Sequence, residues 1–356
     1  AKRMTEATGF EAKTIHRLLE LNSALSEDDT RKANFERNQE NPLEADVVII
    51  DEMSMVDIQL FQALLKAILP GTRLILVGDV DQLPSVGPGQ VLRDLMNSRA
   101  FPMVTLEKIF RQAGQSDIVV NAHRINRGEQ ITLDNKSKDF FLLERNDVNV
   151  IYKHMIQLIQ DMLPRYVGAT SFDIQVLTPM RKGSLGCETL NEILQRYLNP
   201  ADPHKKEHAY GNTVFREGDK VMQTQNVANI SNGDIGVVTG IIRTQDESTL
   251  YVDFGDGRTM EYAPNELDTL DLAYATTVHK SQGSEYDTVI LSLQTAHYIM
   301  LRRPLLYTAI TRAKRHVVIV GERKALVIAI GRVDAEKRGT MLAERINEAE
   351  AKAINV

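Results

Sequence analysis

Short apolar runs that stop at clustered acids are the feature that most constrains this chain. "DVVII" at 46–50 leads straight into Asp51 and Glu52, and "RLILV" at 73–77 leads into "GDVDQLP". Runs this short, with almost every position apolar, predict strands buried on both faces. Between them, "DIQLFQALLKAIL" at 57–69 sets Phe61, Leu64, Leu65 and Ile68 on one helical face. Asp57 is the expected N-cap, and Pro70–Gly71 stops the helix. Strand, helix, strand in this rhythm predicts a parallel sheet. Acids leaving the C-terminal ends of parallel strands stand in the crevice where such sheets hold ligands.

The alternation extends along most of the chain. "EAKTIHRLLEL" at 11–21 has Ile15, Leu18 and Leu19 at helical spacing, and the polar stretch 22–44 predicts an exposed loop or hairpin. "MVTL" at 103–106 predicts a strand and 116–128 a helix; after about residue 145 the pattern restarts. Residues 148–163 and 187–198 predict helices, and "DIQVLTP" a strand. Residues 210–270 break the rhythm with short β-runs between Gly, Asn and Asp. Asn232–Gly233 and "GDG" at 255–257 are turn signals, so a small all-β insert, a barrel, is expected. Strands at 287–293 and 316–321 with a helix at 305–314 return to the α/β pattern, and a charged helix follows 334. The fold class predicted is α/β: two parallel-sheet domains with a small all-β insert.

Bulk properties narrow the function. A chain of 356 residues exceeds one ordinary core. With 42 basic against 48 acidic residues, net −6, it does not coat nucleic acid by bulk charge, which leaves room for a narrow basic groove. The single cysteine, Cys187, excludes a disulfide framework and predicts a reducing, cytoplasmic setting. No apolar run approaches the ~18 residues of a membrane helix. The first ten residues show no signal core, and the absence of an initiator Met predicts a fragment.

The acids and amides at the two strand ends suit a phosphate–metal site. Asp51 can hold the water shell of Mg²⁺ near nucleotide phosphates. Glu52 can orient or deprotonate an attacking water. Gln82 suits a γ-phosphate or water sensor, because its amide both donates and accepts. A plain capped turn is the competing reading for each strand end taken singly. Arg111 in "FRQ" and Arg312 in "YTAITRAKRH" could grip one nucleotide from the two halves; either alone reads as a surface arginine. "YATTVHKSQGSEYDTVIL" at 274–291 gathers hydroxyls, His279, Lys280, Gln282 and Gly283 ahead of an acid and a buried strand.

In this order the stretches resemble the motifs of superfamily 1 helicases of the RecD-like group, which includes the exodeoxyribonuclease V alpha subunit and its stand-alone relatives. "IIDEMSMVD" resembles the Walker B motif II, "LVGDVDQLPSVGPG" motif III, "IFRQ" motif IV, "YATTVHKSQGSEYDTVIL" motif V and "LLYTAITRAKRHVVIVG" motif VI. The match runs from about residue 2 to 322. It implies two RecA-like domains, 1–145 and 146–212 with 269–333, an SH3-like insert at 213–268 and a C-terminal helix at 334–356. Residues 22–44 would be the hairpin that splits the duplex.

By match, Asp51 would serve Mg²⁺ and Glu52 would activate water. Gln82, Arg111 and Arg312 would contact ATP phosphates, with Gly283 and Glu285 near the nucleotide. Thr14, Arg17, Val86, Asn226, Thr277 and His279 would face single-stranded DNA. The resemblance implies ATP-dependent, 5′-to-3′ translocation and unwinding in DNA repair or recombination. DNA junctions and other exonuclease V subunits are the implied partners.

One departure weighs against activity of these residues alone. The phosphate-cradling G-x-x-x-x-G-K-[ST] of motif I is absent from the sequence. The expectation is a truncated chain with little ATPase activity of its own. Two alternatives remain: a nuclease using Asp51, Glu52 and Asp79, and a non-catalytic module that holds DNA or a partner.

Overall fold

A computed structural model describes residues 2–21, 35–106, 116–227, 230–243, 248–333 and 339–354. The chain divides into two compact units, 1–108 with 335–356, and 109–334.

In the first unit, helices α1 (Lys2–Thr8) and α2 (Ile15–Leu18) precede strand β1 (Val47–Ile50), helix α3 (Ile58–Ala67), strand β2 (Arg73–Leu76) and helix α4 (Val91–Ser98). β1 and β2 pair in parallel, Val47 with Arg73 through Ile50 with Leu76. α3 forms as expected: the Asp57 carboxylate accepts the Leu60 N–H at 2.8 Å, and Leu60, Phe61, Leu64 and Ala67 are buried. Each large apolar side chain buried this way contributes about 1.5–3 kcal/mol. With Val48, Ile50, Met53 and Val91 they form the core of this unit. "MVTL" at 103–106 forms no strand, and Val104 and Leu106 are exposed. Among the described residues no neighbouring strand offers it a ladder, and apolar character alone does not make a strand. Of the expected hairpin, 22–34 lie outside the described residues.

The second unit opens with helix α5 (Asp117–Asn126) and strand β3 (Phe140–Glu144), then helices α6 (Val148–Gln157) and α7 (Leu163–Val167), joined by a π-helical turn at Leu158–Met162. Strand β4 (Ile174–Thr178) and helix α8 (Cys187–Leu198) lead to a hairpin, β5 (Glu207–Tyr210) and β6 (Thr213–Arg216). Next come β7 (Lys220–Gln223), β8 (Ile235–Arg243), β9 (Ser248–Asp253), β10 (Thr259–Tyr262) and β11 (Leu270–Leu272). The chain then returns through β12 (Ala275–Thr277), β13 (Tyr286–Leu293), helix α9 (Arg303–Thr311), β14 (Ala313–Gly321) and helix α10 (Arg323–Gly331). The main sheet has five parallel strands in the order β12-β4-β13-β14-β3. The insert is a five-stranded antiparallel sheet in the order β10-β9-β8-β7-β11, around buried Val221, Val238, Leu250, Val252 and Tyr262.

Two expected boundaries move. The first domain does not run to 145, because β3 adds to the second sheet beside β14, Phe140 opposite Val317, and α5 packs on α9. The insert's sheet runs past 268, because β11 pairs with β7. The C-terminal helix α11 (Leu342–Ile354) belongs to the first unit, where it packs on α4.

A buried polar cluster roots the insert. The Asp219 carboxylate accepts from Asn199 Nδ2 (2.7 Å), Gln195 Nε2 (2.6 Å), the Tyr274 hydroxyl (2.8 Å) and the Arg216 N–H (2.7 Å). Burial pushes its pKa up, and these donors oppose that shift. Lys220 Nζ donates to the Phe172 and Ile174 carbonyls, and burial lowers its pKa to about 7.

Candidate nucleotide and DNA site

Motifs II and III lie side by side where β1 and β2 end. Asp51 follows the last residue of β1, is exposed, and its Oδ1 accepts the Glu52 N–H at 2.8 Å. Glu52 sits in the left-handed region, φ 56° and ψ 40°. A non-glycine residue there costs on the order of 1–2 kcal/mol, and such residues cluster at functional sites. After this turn the Met53 N–H donates to the carbonyl of Val77, just past β2, at 3.0 Å.

The motif III loop is held by close backbone approach. A Cβ on Gly78 would lie 2.9 Å from Met53 N and from Leu92 Cδ2, so only glycine fits against motif II here. Asp79 Oδ1 accepts the Asp81 N–H at 3.0 Å, and Gln82 Nε2 reaches Asp79 Oδ2 at 3.5 Å. Arg93 Nη2 donates to the Val80 carbonyl at 2.6 Å, and Ile58 N–H to the Pro88 carbonyl at 3.0 Å. Val86 is 90% exposed at the loop's tip, an apolar side chain held out toward solvent.

Motifs V and VI meet in the second unit. Arg312, at the C-terminus of α9, is only 5% exposed. Its Nε donates to the Thr308 carbonyl (3.2 Å), its Nη1 to the Ser284 carbonyl (3.0 Å) and its Nη2 to the Thr311 hydroxyl (3.4 Å). Three of the five N–H donors of its guanidinium are thereby committed. The Tyr286 N–H returns a bond to the Arg312 carbonyl at 2.8 Å, and Glu285 pairs with Lys314 at 3.8 Å. Gly283 takes φ +74°, the left-handed turn that brings Ser284 under Arg312. Burial pushes the Tyr286 hydroxyl up to about 12.

The residues expected to face the strand lie in both units. Thr277 ends β12 opposite Thr178, and its hydroxyl accepts the Lys280 N–H at 3.3 Å. His279 follows it, half-buried. Thr14 is engaged as the N-cap of α2, accepting the Arg17 N–H at 3.3 Å. Asn226 accepts the Asn232 N–H at 2.8 Å and so shapes its own loop in the insert. Arg111 lies outside the described residues. Sequence reasoning missed the packing of Asp57 against Gly87 and of Thr340 against Gly89; the only sequence signal was the three glycines of "GDVDQLPSVGPG".

Among the described residues no three His, Cys, Asp or Glu side chains gather into a metal cage. An exposed carboxylate at a strand end fits an ion that keeps most of its water and takes one or two protein carboxylates plus phosphate oxygens.

Comparison with known proteins finds helicase families along the chain. Family models match for an AAA domain over residues 1–144, an ATP-dependent RecD-like DNA helicase SH3 domain over 190–254, and a UvrD-like helicase C-terminal domain over 272–320. The chain is 38% identical over 348 residues to the ATP-dependent RecD2 DNA helicase of Deinococcus radiodurans, covering 97% of this chain and 45% of that protein. It is 33% identical over 355 residues to the RecBCD enzyme subunit RecD of Mycolicibacterium smegmatis, covering 96% of this chain and 60% of that one. The chain thus spans about half the length of the curated relatives it matches. In fold it resembles the Bacteroides Pif1 helicase crystallised with ADP-AlF3 and single-stranded DNA. That match has a TM-score of 0.51 at 19% identity, covering 95% of this chain and 83% of that one.

Proposed function

We propose that this chain, whose segments match models of an AAA domain, a RecD-like DNA helicase SH3 domain and a UvrD-like helicase C-terminal domain, is motor machinery of an ATP-dependent DNA helicase acting in repair or recombination. The observation that carries this is the pairing of motifs II and III: two parallel strands ending side by side in Asp51–Glu52 and Asp79–Gln82, with Glu52 in a strained left-handed turn. Asp51 would hold hydrated Mg²⁺, which neutralises phosphate charge. Glu52 would orient the attacking water, Gln82 would read the γ-phosphate, and Arg111 and Arg312 would stabilise transferring charge. Gly283 and Glu285 would border the nucleotide. Thr14, Arg17, Val86, Asn226, Thr277 and His279 would contact single-stranded DNA.

Translocation runs 5′ to 3′ in this reading, and other exonuclease V subunits are possible partners by kinship to the RecBCD subunit. Among the described residues no helix is long and apolar enough to cross a membrane. The assigned strand contacts are few, with basic residues among them, so affinity would be modest and salt-sensitive and the motor could release at each step.

The test is phosphate release stimulated by oligo-dT, measured on the 356-residue chain and on a longer protein that supplies a G-x-x-x-x-G-K-[ST] loop. The expected result is turnover only in the longer protein, abolished by Glu52→Gln with ATP binding retained. Unwinding that survives Glu52→Gln would remove the assigned role. Mg²⁺-dependent cleavage of DNA without ATP would favour a nuclease instead.

A further inference from the structure

We propose that Thr340, at the head of the C-terminal helix, is a positioning residue for the motif III loop, and that α11 is the clamp that holds this loop in its DNA-presenting shape. The DNA-presenting part rests on the helicase reading above; the clamp itself does not.

The geometry converges on one threonine. Gly89 takes φ +91°, and a Cβ built on it would lie 2.9 Å from Thr340 Cγ2 and 3.4 Å from Ile58 Cβ. The loop backbone is therefore pressed between the first residue of α3 and Thr340, closer than any side chain at 89 would allow. The Thr340 hydroxyl donates to Asp94 Oδ2 at 3.0 Å. Asp94 lies in the first turn of α4, and its own N–H donates to the carbonyl of Gln90, the residue that ends the loop. Thr340 thus grips the loop twice, by its methyl on Gly89 and by its hydroxyl through the first turn of α4.

Leu342 sits against the core of the same unit and anchors the helix. Burial raises the Asp94 carboxyl and the Thr340 hydrogen bond opposes this, as expected of a carboxylate shielded by the docked segment.

Further holds on the loop come from α3 and α4. Ile58 and Arg93 fix Pro88 and Val80, and the Ser85 hydroxyl donates to the Gly87 carbonyl at 3.2 Å. The same loop carries Gln82 and the outward-facing Val86. The clamp is borne on the segment that follows the second unit at Asp334, so the shape of a first-unit loop depends on residues encoded about 250 positions later.

The experiment is hydrogen exchange on the 356-residue chain, read on peptides covering 82–90, for wild type, Thr340→Gly and Thr340→Ser. It is combined with fluorescence anisotropy on labelled oligo-dT. Losing both grips in Thr340→Gly is expected to speed exchange in the loop about tenfold, the scale of one hydrogen bond to a charged group. Thr340→Ser keeps the hydroxyl and is expected to recover most of the protection. Oligo-dT affinity should fall in Thr340→Gly and return in Thr340→Ser.

Unchanged loop exchange in Thr340→Gly overturns the clamp. An equal rise in the buried amides of α3 also overturns it, because the effect is then general loosening of the unit. Faster loop exchange with unchanged oligo-dT affinity overturns the DNA-presenting role alone. Failure of the wild-type chain to bind oligo-dT at all counts against the helicase reading, while the exchange result still decides the clamp.

Discussion

Gly87→Ala should damage the first unit through Asp57, thirty residues earlier. A Cβ at position 87 would fall 1.9 Å from Asp57 Oδ2, 2.7 Å from its Cγ and 2.8 Å from its Cβ. The backbone conformation at 87 is not the obstacle; the carboxylate is. To make room, Asp57 must swing away, and it then releases the Leu60 N–H that it caps at 2.8 Å. Loss of an N-cap costs about 1 kcal/mol, and forcing an extra carbon into a packed contact about 1–3 kcal/mol. The sum, about 2–4 kcal/mol, is a large part of a domain's stability.

The chain contains no tryptophan, so urea unfolding is best followed by hydrogen exchange on the amides of α3, which reports the first unit separately. The decisive control is Asp57→Gly, which removes the obstructing side chain and, as a glycine cap, costs only a few tenths of a kcal/mol. The double variant Asp57→Gly, Gly87→Ala should be more stable than Gly87→Ala alone, with a coupling energy of at least about 1.5 kcal/mol. Additive losses would refute the argument, since the two positions would then not be in steric contact.

Three further outcomes follow from the same reasoning. Glu52→Gly relieves the left-handed strain and should leave the first unit as stable or up to about 1 kcal/mol more stable by urea titration, while ending any turnover; a clear loss of stability would mean that the Glu52 side chain supports the fold. Asp219→Asn places an amide among four hydrogen-bond donors and should cost the second unit about 3 kcal/mol or more, seen as a fall in Tm that Asp173→Asn, at an exposed turn, does not reproduce. For His297, burial lowers the pKa to about 4, with Nδ1 accepting the Gln294 N–H. The unfolded chain then binds the extra proton between pH 4 and 6.5, so stability is lost as pH falls through that window, by about 3 kcal/mol at its foot. His297→Gln should flatten this part of the pH–stability curve, and an unchanged slope would show that the imidazole is not held neutral.

Local patterns reached as far as the elements whose partners are near in sequence. α3 and its Asp57 cap, α8 over Cys187–Leu198, and the run of β-strands in the insert were legible because periodicity, caps and turn residues act within a few positions. The place of β3 was not, since "FFLLE" joins the second sheet only through its register with β14, about 177 residues later. The docking of α11 was equally hidden, because its spacing of Leu342, Ile346 and Ala349 marks a helix face without naming α4, its partner about 250 positions earlier. Of the site, the types and order of residues were readable in the motifs. The left-handed turn at Glu52 and the commitment of Arg312 to the Ser284 carbonyl depend on tertiary contacts that spacing does not encode.

Those contacts explain why each group of motifs acts as a body rather than as separate residues. Motif III cannot shift without motif II, because Gly78 lies against Met53, Gly87 against Asp57 and Pro88 under the Ile58 N–H. Motif V cannot shift without motif VI, because Arg312 donates to Ser284 and accepts from Tyr286. Motifs II and III are therefore held as one body in the first unit by close backbone approach, and motifs V and VI as one body in the second by hydrogen bonds. The energetic signature of such an arrangement is strong coupling within one body. Gly78 and Leu92, whose Cδ2 a Cβ at 78 would meet at 2.9 Å, should show a coupling energy on the order of 1 kcal/mol or more. In the motor reading proposed above, a displacement at Gln82 would be carried to Val86 through a loop held by Arg93, by Ile58 and by Thr340 ahead of α11.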